Sequence, residues 1–175
     1  MAKKLSRSNK HLAFDYIDNL YKERTSAIES FFVPTNGYFV GCTEKDIQNR
    51  LHEHLQEAEH EACMTLLAAI EAALRIDCDY CCFQRPKTAR AKKIREIVRE
   101  IAKDTEGRRS VEIKTLIEHL GESQRVKDKL KTFFLYRHWL AHGRYWTLKT
   151  NIPGFIFVEI YRIAIKIQGS LYQYK

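Results

Sequence analysis

"TEKDIQNRLHEHLQEAEHEACMTLLAAIEAALRI", from Thr43 to Ile76, decides the fold class. Neither Gly nor Pro interrupts it, so it reads as one long helix that continues past Arg75. Thr43 is placed to cap its start. Asp46 stands at the capping-box position, where Glu or Gln is usual. The first half, HEHLQEAEHEA, is charged all round. The second half, MTLLAAIEAALRI, is apolar nearly all round. Only that second half is suited to entering a core, and other elements must then surround it.

Working outward, the neighbouring segments also read as helices. Ser8 to Val33 repeats Leu12, Tyr16, Leu20, Ile28 and Phe31 at helical spacing and stops at Pro34-Thr-Asn-Gly37. Pro86 opens a third helix from Lys87 to about Lys103, with Ile94, Ile97, Val98 and Ile101 as its stripe. Ser110 caps a short helix ending at Gly121. Ser123 caps another through KLKTFFLYRHWLAH, with Gly143 as its stop. Asn151 and Pro153 open the last segment. Its β-branched residues suit a strand, but Phe157, Ile160, Tyr161, Ala164, Ile167 and Leu171 fit a helix better, and a lone strand has nothing to pair with. The expected fold is all-α, an up-and-down bundle of five to six helices. It forms one domain over residues 1–175, with a basic, flexible start over 1–10.

Composition agrees. The 175 residues are 45% hydrophobic, enough for a core, and hold only 7 Gly and 3 Pro. The net charge is +8. Between Arg85 and Arg109 ten Lys/Arg face four acids, a surplus of six positive charges. Such a patch attracts phosphate polyanions, with Arg90, Lys92 and Lys93 as candidate RNA contacts. The plain alternative is a solvated helix face. Phe155 to Ile167, the most apolar run, is broken by Glu159, Arg162 and Lys166, so no membrane span is expected. The start MAKKLSRSNK lacks the apolar run of a secretory signal. With five cysteines, an odd number, it points to a cytoplasmic protein with reduced thiols.

The densest chemistry lies in "YRHWLAHGRYW", Tyr136 to Trp146. His138 and His142 are four apart and could both face a zinc ion, but no third ligand is evident, and no metal or cofactor is expected. Cys78, Cys81 and Cys82 follow an apolar helix and read as small core residues. His52, His54 and His60 read as solvated. Arg137 and His142 are five apart, about 140° on a regular helix. They could converge at a helix end or across a two-fold axis. Histidine can exchange a proton with a ribose 2′-OH or a leaving oxygen. Arginine can hold a phosphate bidentately. Arg144 offers a further cation, and Tyr145 and Trp146 could stack bases. Glu71, flanked by alanines, needs a cation. Either Arg75 on its own helix or a cation from the Arg137 helix would serve, and Asp77 poses the same question.

Arg137-His-Trp-Leu-Ala-His142 resembles the Arg-x4-6-His signature of the HEPN superfamily, all-α domains of prokaryotic defence and toxin–antitoxin systems. "RHWLAHGRYW" and "EAALRID" are similar to one group of bacterial HEPN-like proteins, and the resemblance runs from Thr43 to the C-terminus. It implies a homodimer that joins two motif copies in one cleft. The implied activity is a metal-independent endoribonuclease, a phosphodiester-cleaving enzyme that leaves a 2′,3′-cyclic phosphate. Arg137 and His142 take the catalytic positions, with His138, Glu71 and Asp77 in support. Some such toxins carry a tyrosine two residues after the histidine, which an antitoxin modifies. Arg144 stands there in this chain, so that control is not carried over. An antitoxin or defence-system partner protein is still expected. Other HEPN domains are non-catalytic RNA-binding or protein-interaction modules.

Overall fold

The computed structural model describes residues 11–104, 111–144, 147 and 156–172. Every regular element among them is helical. The helices are α1 (Phe14–Phe31), α2 (Glu44–Phe83), α3 (Ala89–Asp104), α4 (Ile113–Glu118), α5 (Gln124–Ala141) and α6 (Ile156–Gln168). A single 3-10 turn, Gly37–Phe39, lies between α1 and α2.

Helix α2 is the axis of the bundle. Its 40 residues extend about 60 Å at 1.5 Å per residue. The capping box is complete: Thr43 Oγ1 accepts from the Asp46 amide at 3.2 Å, and Asp46 accepts from the Thr43 amide at 3.2 Å. Helix α2 contacts all five other helices. Its apolar half supplies the centre of the core: Leu66, Leu67, Ile70, Ala73 and Leu74 are buried, against Phe133 of α5 and Phe157, Ile160 and Ile167 of α6. The final segment is a helix, as its 3.6-residue pattern predicts.

The first helix differs from its sequence reading. The core takes Phe14 and Ile17, with Tyr21 packed against it, while Leu12, Tyr16, Leu20 and Phe31 are exposed. The segment carries two apolar stripes on different faces, and only one can lie against α2 and α6. Ser110 lies outside the described residues, and Glu112 takes the cap position of α4. Ser123 holds the cap position of α5, with no side-chain cap bond.

One buried ion pair closes the far end of the bundle. Asp77, 1% exposed, takes the Arg90 guanidinium of α3 on one carboxylate oxygen. Its other oxygen accepts from the Tyr172 amide at 2.7 Å. Arg90 also donates from Nε to the His119 carbonyl at 2.9 Å and lies over the Tyr172 ring. Three separated parts of the chain are thereby joined to α2.

Candidate functional site

Helix α5 presents the Arg137–His142 motif. Its buried side, Val126, Leu130, Phe133 and Tyr136, fixes its rotation about its own axis. That rotation turns Arg137 toward α2, where its Nη1 lies 3.0 Å from Glu71 Oε2. Glu71 Oε1 meanwhile accepts from Arg75 Nε at 2.9 Å and Nη2 at 2.7 Å. Both partners open to Glu71 on sequence grounds are therefore present, one on each oxygen. The carboxylate is 21% exposed and Arg137 34% exposed, so the trio lies at the surface's edge and carries one net positive charge. Arg75 reaches on to the Val111 carbonyl at 3.3 Å, which joins the trio to the start of α4. Arg137 Nε is buried and has no hydrogen-bond partner among the described residues.

The motif's histidines lie on another side of α5. Both are exposed, with ring centroids 4.2 Å apart in an edge-on arrangement. Leu135, at 57% exposure, joins them, although nothing in its sequence context marks it. His142 is the C-cap. Gly143, with φ +74°, donates to the Leu140 carbonyl at 3.2 Å, and Arg144 donates to the Trp139 carbonyl at 3.1 Å. This pair of bonds is the Schellman closure that the glycine predicts. The helix stays regular through Ala141. The rotation of about 140° between Arg137 and His142 is thus kept within one chain, and they do not share a face of it. Among the described residues no group of three or more His, Cys, Asp or Glu could hold a metal ion.

Several expected contacts are placed elsewhere. Arg144 is exposed, and its guanidinium forks onto Glu57 of α2, at 2.6 Å to Oε1 and 2.7 Å to Oε2. It also donates to His60 Nδ1 at 2.8 Å. The bonds between Arg144 and Glu57 hold the Glu57 carboxyl below its usual range and raise Arg144. His60 is not solvated as its charged setting suggests. Its side chain is 15% exposed and faces the edges of Tyr136 and Trp139. Asp77 is committed to Arg90, so it orients neither Arg137 nor His142, and Arg90 is withdrawn from any RNA track. Arg95 is likewise tied to the end of α2 and the loop after it, donating to the carbonyls of Cys81 at 3.0 Å and Pro86 at 3.2 Å. Both had the lysine-rich context of a solvated face; what sets them apart is a long-range partner. Lys92 and Lys93 remain exposed on α3. Tyr145 and Trp146 lie outside the described residues.

The cysteines are free thiols, with Cys78 and Cys81 in the core as expected. Cys82, one turn beyond Cys78, is half-buried. A hydrogen bond from Cys78, with Arg95 and Arg99 nearby, brings its thiol down. Burial pushes Cys81 up to about 11. No helix among the described residues is long and apolar enough to cross a membrane. Comparisons with protein-family models, with curated proteins and with solved structures return no match to this chain.

Proposed function

We propose that this protein is a HEPN-like, metal-independent endoribonuclease of a cytoplasmic defence or toxin–antitoxin system, with its site formed between two copies of the chain. One observation carries the reading: at the end of α5, Arg137 is oriented by Glu71 while His142 is exposed at the C-cap. The rotation between them is awkward for one chain. Two copies facing each other across the ends of α5 would supply arginine and histidine to one phosphate from opposite sides.

In this reading neutral His142 takes the proton of the ribose 2′-OH as that oxygen attacks phosphorus. The 5′-oxygen leaves and takes a proton from the histidinium so formed or from water, giving a 2′,3′-cyclic phosphate and a 5′-hydroxyl. Arg137 positions the phosphate and offsets the charge that builds on it. Glu71 fixes the guanidinium's direction, and His138 lines the same face as His142. Lys92 and Lys93 offer sequence-independent attraction to the RNA backbone. A toxic ribonuclease requires restraint, which suits an antitoxin or defence-system partner.

The test is RNA cleavage in EDTA by wild type and His142→Ala. Loss of a general acid–base group should lower the rate by about 10²–10⁴-fold. Equal rates would remove His142 from the mechanism. A second reading is a non-catalytic RNA-binding or protein-interaction module. It is favoured by the Arg137–Glu71 ion pair, which engages the arginine within the chain. Its sign is salt-dependent RNA binding that leaves the RNA intact.

A further inference from the structure

We infer that Glu57 and His60, on the charged half of α2, are positioning residues for His142: they clasp Arg144 and so hold the turn that ends α5. The inference rests on the ribonuclease reading for its consequence in catalysis, but the clasp itself is a matter of structure.

The turn needs holding. Gly143 and Arg144 both have left-handed backbones, with φ of +74° and +59°. Glycine adopts that conformation freely; arginine, with its Cβ, resists it. A non-glycine residue persists there when its surroundings over-determine it. Around Arg144 they do. Its amide closes the helix on Trp139, and its side chain makes two charge-assisted bonds to Glu57 and one to His60. A guanidinium only donates, so in this contact His60 Nδ1 is the acceptor. His60 is itself boxed by Tyr136 and Trp139, which stack on each other with centroids 5.8 Å apart. The clasp therefore joins the last turns of α5 to α2 at a point two residues beyond His142. Glu57 lies 87 positions from Arg144 in sequence, so the tie is tertiary rather than a property of the helix end.

The chemistry gives the clasp its use. His142 as the C-cap has no further helical turn to stiffen it, and general acid–base transfer needs its ring within hydrogen-bond reach of one oxygen. A displacement of about 1 Å in such a group costs up to about 100-fold in rate.

The experiment uses the full chain with Glu57→Gln, Arg144→Asn and the double variant. Amide hydrogen exchange is read at Gly143 and Arg144, the His142 ring resonance by NMR, and cleavage of RNA in EDTA by steady-state kinetics. Asparagine tolerates a left-handed backbone, so Arg144→Asn removes the clasp while keeping the turn accessible. We expect faster exchange at both amides and a shifted His142 resonance in each single variant. We expect kcat to fall about 10- to 100-fold with KM changed less than about 3-fold. The double variant should be no worse than the worse single, because both remove one interaction. Unchanged exchange and an unmoved His142 resonance in Glu57→Gln would overturn the clasp, as would fully additive effects. If wild type leaves RNA intact, the ribonuclease reading fails on its own, and exchange and resonance still decide whether the clasp positions His142.

Discussion

Replacing Asp77 by alanine should destabilise the fold sharply and leave the chemistry of the Arg137–His142 region alone. Asp77 is 1% exposed, and its two oxygens are taken by Arg90 and by the Tyr172 amide. Removing it strands a largely buried guanidinium and an amide without an acceptor. Breaking one side of a buried ion pair costs about 3–5 kcal/mol, mostly from the charge left behind. For a chain of this size each kcal/mol moves Tm by about 2–4 °C, so a drop of about 6–20 °C is expected. Thermal unfolding followed by circular dichroism reads it directly. Because the pair is buried, the loss should persist at high salt, unlike that of a surface pair. Replacing both partners, Asp77→Leu with Arg90→Met, should recover most of the loss, since no unpaired charge remains. A Tm within about 2 °C of wild type in Asp77→Ala would refute the reasoning, given the magnitude above. So would lost RNA cleavage at a temperature where the variant is fully folded, for that would place Asp77 at the site.

Three further outcomes are expected. Glu71→Gln should lower RNA cleavage by about 10- to 100-fold through misplaced Arg137, with a smaller change in RNA affinity measured by filter binding; unchanged kcat would mean that Glu71 orients nothing. Glu57, Glu118 and Glu159 are held below their usual 4.5 by hydrogen bonds from Arg144, Lys131 and Lys129 respectively. Lowered carboxyls stabilise the fold above that pH and lose their contribution as pH falls through their depressed values, so Tm should decline below about pH 4.5 and less steeply in high salt, where exposed pairs are already screened. A Tm that rose on acidification would contradict this. Cys82, whose thiol is lowered by the hydrogen bond from Cys78, should be alkylated by iodoacetamide faster than Cys81, whose thiol burial pushes up to about 11; equal rates for the two, read by peptide mass spectrometry, would refute the assignment.

Local signals foretold most of the helices. The Thr43–Asp46 box and the glycine at 143 are short-range devices, and both appear in the structure where their residues stand. The last segment was settled by period, since its apolar residues repeat at helical spacing. Periodicity failed in α1, where two stripes satisfy the same rule and only the neighbours α2 and α6 decide between them. Legibility of the site divides the same way. Arg137, His142 and Glu71 could be singled out because each is unusual in its local setting. Glu57 and His60 could not, because they sit in a uniformly charged stretch, and their partner is 84 to 87 positions away. Arg90 escapes its sequence reading for the converse reason: a basic run looks solvated until a buried carboxylate elsewhere claims one member of it.

The double coordination of Glu71 bears on how an ion-paired arginine could serve a phosphate. A carboxylate at 21% exposure that lost its sole cation would be left poorly solvated, and that cost would hold the cation in place. Glu71 is not in that position. Arg75, four residues on along the same helix, makes two bonds to Oε1, the oxygen that Arg137 does not use. Arg137 adds one contact, on the other oxygen, at 3.0 Å. Moving it toward a phosphate would therefore leave Glu71 neutralised and partly hydrated, with Arg75 in place. A phosphate dianion or diester also offers more acceptor oxygens in a fork than the single Oε2 does. The pair thus restricts the arginine's direction without claiming its charge outright, which is what a positioning carboxylate beside a phosphate-binding arginine should do.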